Sequence, residues 1–339
     1  VPARLCDLTT LRLGGPVEDV VTAKTRRALV EAVVDADNLD LPLLLVGGGS
    51  NLIAADAGWP GRLVVIRSEG VEFTEQSGAE VLVRVEAGHP WDDLVTRTVA
   101  EGLSGLETMS GIPGLVGATP VQNVGAYGAE IADVLTGLTV LDRVTGRVEQ
   151  WTPAQCEFGF RTSAFKHSDR YVVLDVTLRL TRRAESVPLR YLELARRLEV
   201  EPGETASISD VRETVLELRR SKGMVLDPED HDSWSVGSFF VNPLLDVVPE
   251  AASECPQWEA DGATKLSAAW LIEQAGFPRG YGNDKVSLST RHTLALTNRG
   301  GATTADLLEL GREIRAGVEK KFGIRLAPEA HLAPNVPTF

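Results

Sequence analysis

The stretch that decides the fold is Gly111-Ile-Pro-Gly-Leu-Val-Gly-Ala-Thr-Pro-Val-Gln-Asn-Val-Gly-Ala-Tyr-Gly128. It carries five glycines, at 111, 114, 117, 125 and 128, with two prolines and no charged residue. A turn does not need eighteen residues of this kind. Close approach of backbone to a flat, extended ligand does. A flavin suits it, with its pyrophosphate on N–H donors and its ring against small side chains. The competing reading is a long packed loop. A second glycine loop, Gly47-Gly-Gly-Ser-Asn51, follows the apolar run Leu41–Val46 directly. Successive glycines let backbone N–H groups converge on an anion. It is no Walker A loop, because no Gly-Lys-Ser/Thr follows, and no long helix begins after it. Taken alone, it reads equally as a tight turn.

Around these loops the pattern alternates. Arg26–Asn38 places Leu29, Val30, Val33 and Val34 on one helical face. Strands are expected at Leu41–Val46, Gly61–Ile66, Val81–Val85 and Tyr171–Leu180, with a helix from Pro90 to Gly102. Leu138–Arg143 and Arg147–Trp151 flank Val144-Thr-Gly146 as a hairpin. Further helices are expected over Asp210–Lys222, Lys265–Gly276 and Thr304–Phe322, and a strand over Thr293–Thr297. The pattern is α+β.

Charge narrows the function. The chain has 339 residues, with 34 Lys or Arg against 48 Asp or Glu, a formal net charge of −14. No large basic face for nucleic acid or anionic lipid is expected. No run approaches the length of a membrane span, and the start shows no charged-then-apolar leader. The reading therefore expects a cytoplasmic protein. Cys6, Cys156 and Cys255 are widely spaced, and with five scattered histidines they make no metal-site pattern, so no metal is expected.

The two loops, in this order and spacing, resemble the UDP-N-acetylenolpyruvoylglucosamine reductase family, also called UDP-N-acetylmuramate dehydrogenases. Four further segments continue the likeness in family order: Phe160-Arg161-Thr-Ser-Ala-Phe-Lys166, Gly237-Ser238-Phe-Phe-Val-Asn242-Pro243, Lys265-Leu-Ser-Ala-Ala-Trp270-Leu-Ile-Glu-Gln274 and Leu326-Ala-Pro-Glu329. Together they cover nearly the whole chain. The resemblance implies a two-subdomain FAD-binding fold of the vanillyl-alcohol-oxidase type, followed by a separate α+β substrate domain. Residues 1–70 would form the first FAD subdomain, with 330–339 packing there. Residues 71–221 would form the second, and 222–329 the substrate-binding domain.

It further implies a monomeric enzyme holding FAD non-covalently. NADPH and UDP-N-acetylglucosamine enolpyruvate would share one pocket in turn. FAD contacts would come from Gly47, Gly48, Gly49, Ser50 and Asn51, and from Gly111, Pro113, Gly114, Gly117, Ala118, Gln122, Asn123, Gly125, Ala126, Tyr127 and Gly128. Arg161, Ser238 and Glu329 would be catalytic. An enolate forming on the substrate needs a fixed cation, a second electrophilic group and a proton donor. Arg161 supplies a cation that never deprotonates. Glu329 helps only if protonated or sharing a proton, so a raised pKa is expected. Ser238 would give the proton. Tyr191, Lys222, Asn242 and His292 are the implied substrate contacts.

Two departures from the family pattern stand beside Arg161. Phe160 replaces a Tyr, and Thr162 replaces an Asp that would orient the guanidinium. Two competing functions remain open in the sequence. One is an oxygen-using oxidase of the same flavin superfamily, which would reoxidise in air without any enolpyruvate. The other is a non-catalytic nucleotide or flavin sensor.

Overall fold

The computed structural model describes residues 3–166, 168–260 and 262–339. The chain divides into two compact units: residues 19–48 with 61–220, and residues 1–18 with 49–60 and 221–339.

The unit of residues 19–48 and 61–220 is built on an antiparallel sheet. Its strands run in the order Arg147–Trp151, Leu135–Asp142, Tyr171–Arg182, Glu80–Glu86, Val71–Glu75. The expected hairpin is present, with Asp142 opposite Arg147. Tyr171–Arg182 is central and buried on both faces. A register shift opposite Thr139 and Val140 inserts one residue near Leu174. Such a bulge reverses the alternation of side chains. Val172 and Leu174 therefore point into one cluster with Leu29 and Val33 of helix α1 (Arg26–Asn38). Val176, Leu178 and Leu180 point into a second cluster with Trp91, Leu94 and Val95 of helix α2 (Trp91–Ala100). Thr25 caps α1 by accepting the Ala28 N–H at 3.1 Å. Leu43–Val46 pairs in parallel with Arg62–Val65 and ends at Gly47. Helices α3 (Leu192–Arg197) and α4 (Ile208–Ser221) pack Leu194, Val211, Val215 and Leu218 together, with Tyr127 against them.

In the unit of residues 1–18, 49–60 and 221–339, Gln257–Ala260, Ala263–Leu266 and Leu244–Leu245 form a small antiparallel sheet. Helix α5 (Ala268–Gln274) begins later than the sequence pattern suggests. Lys265 belongs to the preceding strand, and Ser267 starts the helix by accepting the Trp270 N–H at 3.3 Å. The strand expected at Thr293–Thr297 is confined to Leu296–Asn298, paired with Val286–Leu288. Helix α6 (Thr304–Phe322) buries Leu307, Leu308, Ile314, Val318 and Phe322. Thr303 and Asp306 cap it reciprocally, and Gly323 closes it at φ 70°. His331–Leu332 pairs in parallel with Leu52–Ile53. Among the described residues no helix is long and apolar enough to cross a membrane, and no cluster of potential metal ligands exists.

Candidate active site

The two glycine loops meet at Gly48 and Gly114. A Cβ added to Gly48 would lie 2.7 Å from the Gly114 Cα, so no larger residue fits. A Cβ on Gly117 would press on Ala87 at 2.5 Å. The Gly47 carbonyl is turned toward Arg67, whose guanidinium donates to it at 3.0 Å. The N–H groups of Gly48 and Gly114 meet no acceptor among the described residues. Open N–H groups on closely apposed glycine backbone are what a pyrophosphate needs, so these residues fit a flavin dinucleotide. Pro113 and Gln122 are half-buried in the same loop, and Ala118 is exposed on it. Gly125–Ala126 pairs back on Ala129–Glu130 across Tyr127 and Gly128.

Helices α2 and α4 fasten the entrance of the longer loop. Asp92 accepts the Gly111 N–H at 2.6 Å and a forked pair from Arg212 at 2.8 and 2.9 Å. Burial alone would raise the Asp92 pKa; Arg212 and the Gly111 amide bring it below the ordinary value instead. Arg219, one helical repeat on, is 6% exposed near Tyr127 and Asp92, and burial lowers its pKa. Sequence reasoning missed Arg67, Asp92, Arg212 and Arg219. The i, i+7 spacing of the last two along α4 was the available signal.

Arg161 sits at the corner of a tight turn, where Gly159 and Thr162 exchange backbone hydrogen bonds at 3.1 and 3.3 Å. Its φ of 53° is unusual for a residue with a side chain and costs about 1–3 kcal/mol. The turn aims the guanidinium at the glycine loop, where it donates to the carbonyls of Asn123 (3.3 Å) and Gly125 (2.8 Å). Lys166 donates to the Arg161 carbonyl at 2.6 Å, and Ser163 to Val121 at 2.6 Å. Glu130 lies 3.9 Å from the guanidinium and accepts from Asn123 at 2.7 Å. Loop carbonyls and Glu130 thus orient Arg161 although Thr162 has no carboxylate. Tyr191 precedes α3, is 40% exposed, and meets Tyr127 edge-on at 5.2 Å.

The other unit brings Ser238, Glu329, Asn51 and His292 together. Gly237 has φ 73° and turns the chain; Phe239 and Phe240, both fully buried, then anchor it. Phe239 donates its N–H to the Leu294 carbonyl at 2.7 Å and accepts the Glu329 N–H at 2.8 Å. Ser238 is therefore next to a residue tied to both the 292–294 turn and Glu329. Its Oγ lies 3.4 Å from His292 Nε2. Asn51 donates to the Glu329 carbonyl at 3.5 Å, so this glycine-loop residue reaches the Glu329 backbone. Gly49 has φ 61°, and its carbonyl accepts the Thr10 N–H at 3.2 Å. A cavity of about 430 Å³ is lined by Lys222, Trp270, Glu273, Arg279, Arg291 and His292. Asn242 Oδ1 accepts the Ala268 N–H at 2.9 Å and so caps α5.

The loop before Ser238 is clamped by residues that pattern reading missed. Trp234 is stacked by Arg12 (3.8 Å) and His231 (4.1 Å), and Thr10 donates to the Ser235 carbonyl at 2.6 Å. Asp232, 3% exposed, accepts from Arg299 at 2.7 Å and from Thr290. Apart from the local His231–Trp234 pair, these contacts join segments remote in sequence, and no local periodicity signals them.

Comparison with known proteins agrees with this arrangement. The model of an FAD binding domain matches residues 17–151. The model described as UDP-N-acetylenolpyruvoylglucosamine reductase, C-terminal domain, matches residues 227–333. A relative named UDP-N-acetylenolpyruvoylglucosamine reductase from Thermobifida fusca is 52% identical, covering 96% of this chain and 95% of the relative. One of the same name from Saccharopolyspora erythraea is 50% identical over 96% of this chain and 93% of its own. The crystal structure of UDP-N-acetylenolpyruvylglucosamine reductase from Thermus caldophilus superposes with a TM-score of 0.68 at 27% identity, covering 98% of each chain.

Fold and glycine loops define an FAD-dependent oxidoreductase with a two-subdomain flavin-binding fold and a separate C-terminal α+β domain. Within that class, the chain belongs to the UDP-N-acetylenolpyruvoylglucosamine reductase family.

Proposed function

We propose that this chain reduces UDP-N-acetylglucosamine enolpyruvate to UDP-N-acetylmuramate, a step in building peptidoglycan precursor, with NADPH as reductant. FAD, held by the glycine loops, would supply the hydride carrier between NADPH and the enolpyruvyl group. In this reading the enzyme is a cytoplasmic monomer whose two substrates use one pocket in succession. Residues 1–70 and 71–221 serve the flavin and 222–329 the UDP-sugar, with 330–339 returning to the first part. The observation that carries it is the joining of Ser238 and Glu329 through the Phe239–Glu329 backbone bond, with Asn51 on the Glu329 carbonyl.

The residues divide the work. Arg161 holds the substrate carboxylate and offsets the negative charge that gathers there as hydride reaches the terminal alkene carbon. Glu329, carrying or sharing a proton, donates to the same developing enolate. Ser238 then transfers its hydroxyl proton to the carbon that bears the ether oxygen, completing reduction of the double bond. Lys222 faces the diphosphate or the reduced nicotinamide cofactor, Asn242 contacts the diphosphate or uridine, His292 lies near the nucleotide, and Tyr191 closes over UDP.

The test is the visible spectrum of the purified holoprotein under anaerobic conditions. A yellow protein should bleach on NADPH addition and regain its colour when UDP-N-acetylglucosamine enolpyruvate is added. Rapid recolouring by air alone, with no response to the enolpyruvate, would identify an oxidase instead.

A further inference from the structure

We infer that His292 is a positioning residue for Ser238: its Nε2–H donates to the Ser238 Oγ, turns the serine proton outward, and stabilises the oxygen as that proton leaves. The inference rests on the proposed role of Ser238 as proton donor.

The contact is built by the fold. Ser238 Oγ and His292 Nε2 are 3.4 Å apart although 54 residues separate them in the chain. The neighbouring backbone bond, Phe239 N–H to Leu294 carbonyl at 2.7 Å, locks the two segments together. The turn that carries His292 is also fixed. Its N–H donates to Ser289 Oγ at 3.2 Å, and its carbonyl accepts the Ala295 N–H at 3.0 Å.

The direction of the hydrogen bond follows from what the serine must do. A hydroxyl has one proton and two lone pairs. If Ser238 donated to His292, its proton would point away from the substrate. If His292 donates, the proton is released toward the substrate and the oxygen gains a partner as charge accumulates on it. Serine is a weak acid, so that partner acts on the step where Ser238 gives up its proton. The charged groups around the histidine are Lys222, Arg279, Arg291 and Glu273, which line the same cavity. Nothing is oxidised or reduced in this step: the Ser238 O–H bond breaks with its pair left on Oγ, the enolate pair forms the new C–H bond, and solvent later returns a proton to Oγ.

The test separates this role from simple nucleotide contact. Stopped-flow is run on full-length FAD-loaded protein, with NADPH for flavin reduction and UDP-N-acetylglucosamine enolpyruvate for reoxidation. His292→Phe fills similar space without a donor. It should slow saturating reoxidation by about 10²-fold or more, the scale of one lost oxyanion donor, a far larger loss than it causes in saturating flavin reduction by NADPH. His292→Gln keeps an N–H donor and should stay within about tenfold of wild type. A His292→Phe protein that reoxidises normally at saturation and only needs more substrate would overturn the inference and make His292 a binding contact. So would a His292→Gln protein as slow as His292→Phe while both melt at the wild-type temperature. Ser238→Ala in the same assay tests the underlying reading. It should keep NADPH reduction and slow reoxidation by about 10²–10⁴-fold or more. If Ser238→Ala reoxidises at the wild-type rate, the proton-donor reading itself fails. If Ser238→Ala is slow and His292→Phe is not, the inference alone fails.

Discussion

The guanidinium of Arg161 donates to the carbonyl of Gly125 at 2.8 Å, so the proposed catalytic cation is fastened to the glycine-rich flavin loop itself. A backbone carbonyl holds a fork of N–H groups without neutralising its charge, as a close carboxylate would. The Glu130 carboxylate stands at 3.9 Å and also accepts from Asn123 at 2.7 Å.

Arg161→Lys tests that arrangement. A lysine retains the charge but cannot span two carbonyls with a rigid fork. Saturating reoxidation of reduced flavin by the enolpyruvate should fall about 10²–10³-fold, with flavin reduction by NADPH little changed. Stopped-flow absorbance measures both, and a lysine variant at the wild-type rate would reduce Arg161 to a source of charge alone.

Gly48→Ala puts a methyl carbon 2.7 Å from the Gly114 Cα. Both neighbours are backbone, so neither can rotate aside. The variant should lose about 1–3 kcal/mol of stability and be purified with less bound FAD. Thermal melting and the ratio of flavin to protein absorbance check this; full flavin content would show that the loops separate easily.

Glu329→Gln keeps a hydrogen-bond donor and removes the shared or dissociable proton. It should slow the enolpyruvate half-reaction by about 10²–10⁴-fold while leaving flavin reduction by NADPH intact. A loss confined to flavin reduction contradicts the assignment.

Asp232 gives a pH-dependent prediction. Burial opposes its charge, but the Thr290 hydroxyl and amide and Arg299 hold its pKa below the ordinary carboxylate value. A depressed folded pKa contributes stability above the unfolded value of about 3.9 and loses it as pH falls through the folded value. Asp232→Asn should therefore cost about 2–4 kcal/mol at pH 7, and its gap from wild type should narrow below pH ~4. Urea melts at pH 7 and pH 3 measure it. An equal gap at both would mean that the lost contribution is packing, not charge.

Much of the secondary structure was legible because it is local. α1 and α6 lie where their 3.6-residue periodicity ends, at Asn38 and Phe322. The helix pattern over Lys265–Gly276 was over-read, because a strand and the Ser267 cap claim its first residues. Capping and strand pairing compete with periodicity, and pairing partners are not written next to each other in the chain.

What the sequence determined by itself was the chemistry available: the glycine loops, Arg161, Ser238 and Glu329 in motifs whose residue types permit backbone approach, fixed charge and proton transfer. A net charge of −14 set the expectation against polyanionic partners. Only the tertiary structure decided which groups meet. It pressed Gly48 on Gly114, carried Asn51 to Glu329, placed His292 beside Ser238, and gathered Lys222, Arg279 and Arg291 around one cavity of an acidic protein. The physical reason is range. Residue type and periodicity act over a few positions, whereas hydrogen bonding and local potential act over a few ångströms, and only folding brings distant residues within that reach.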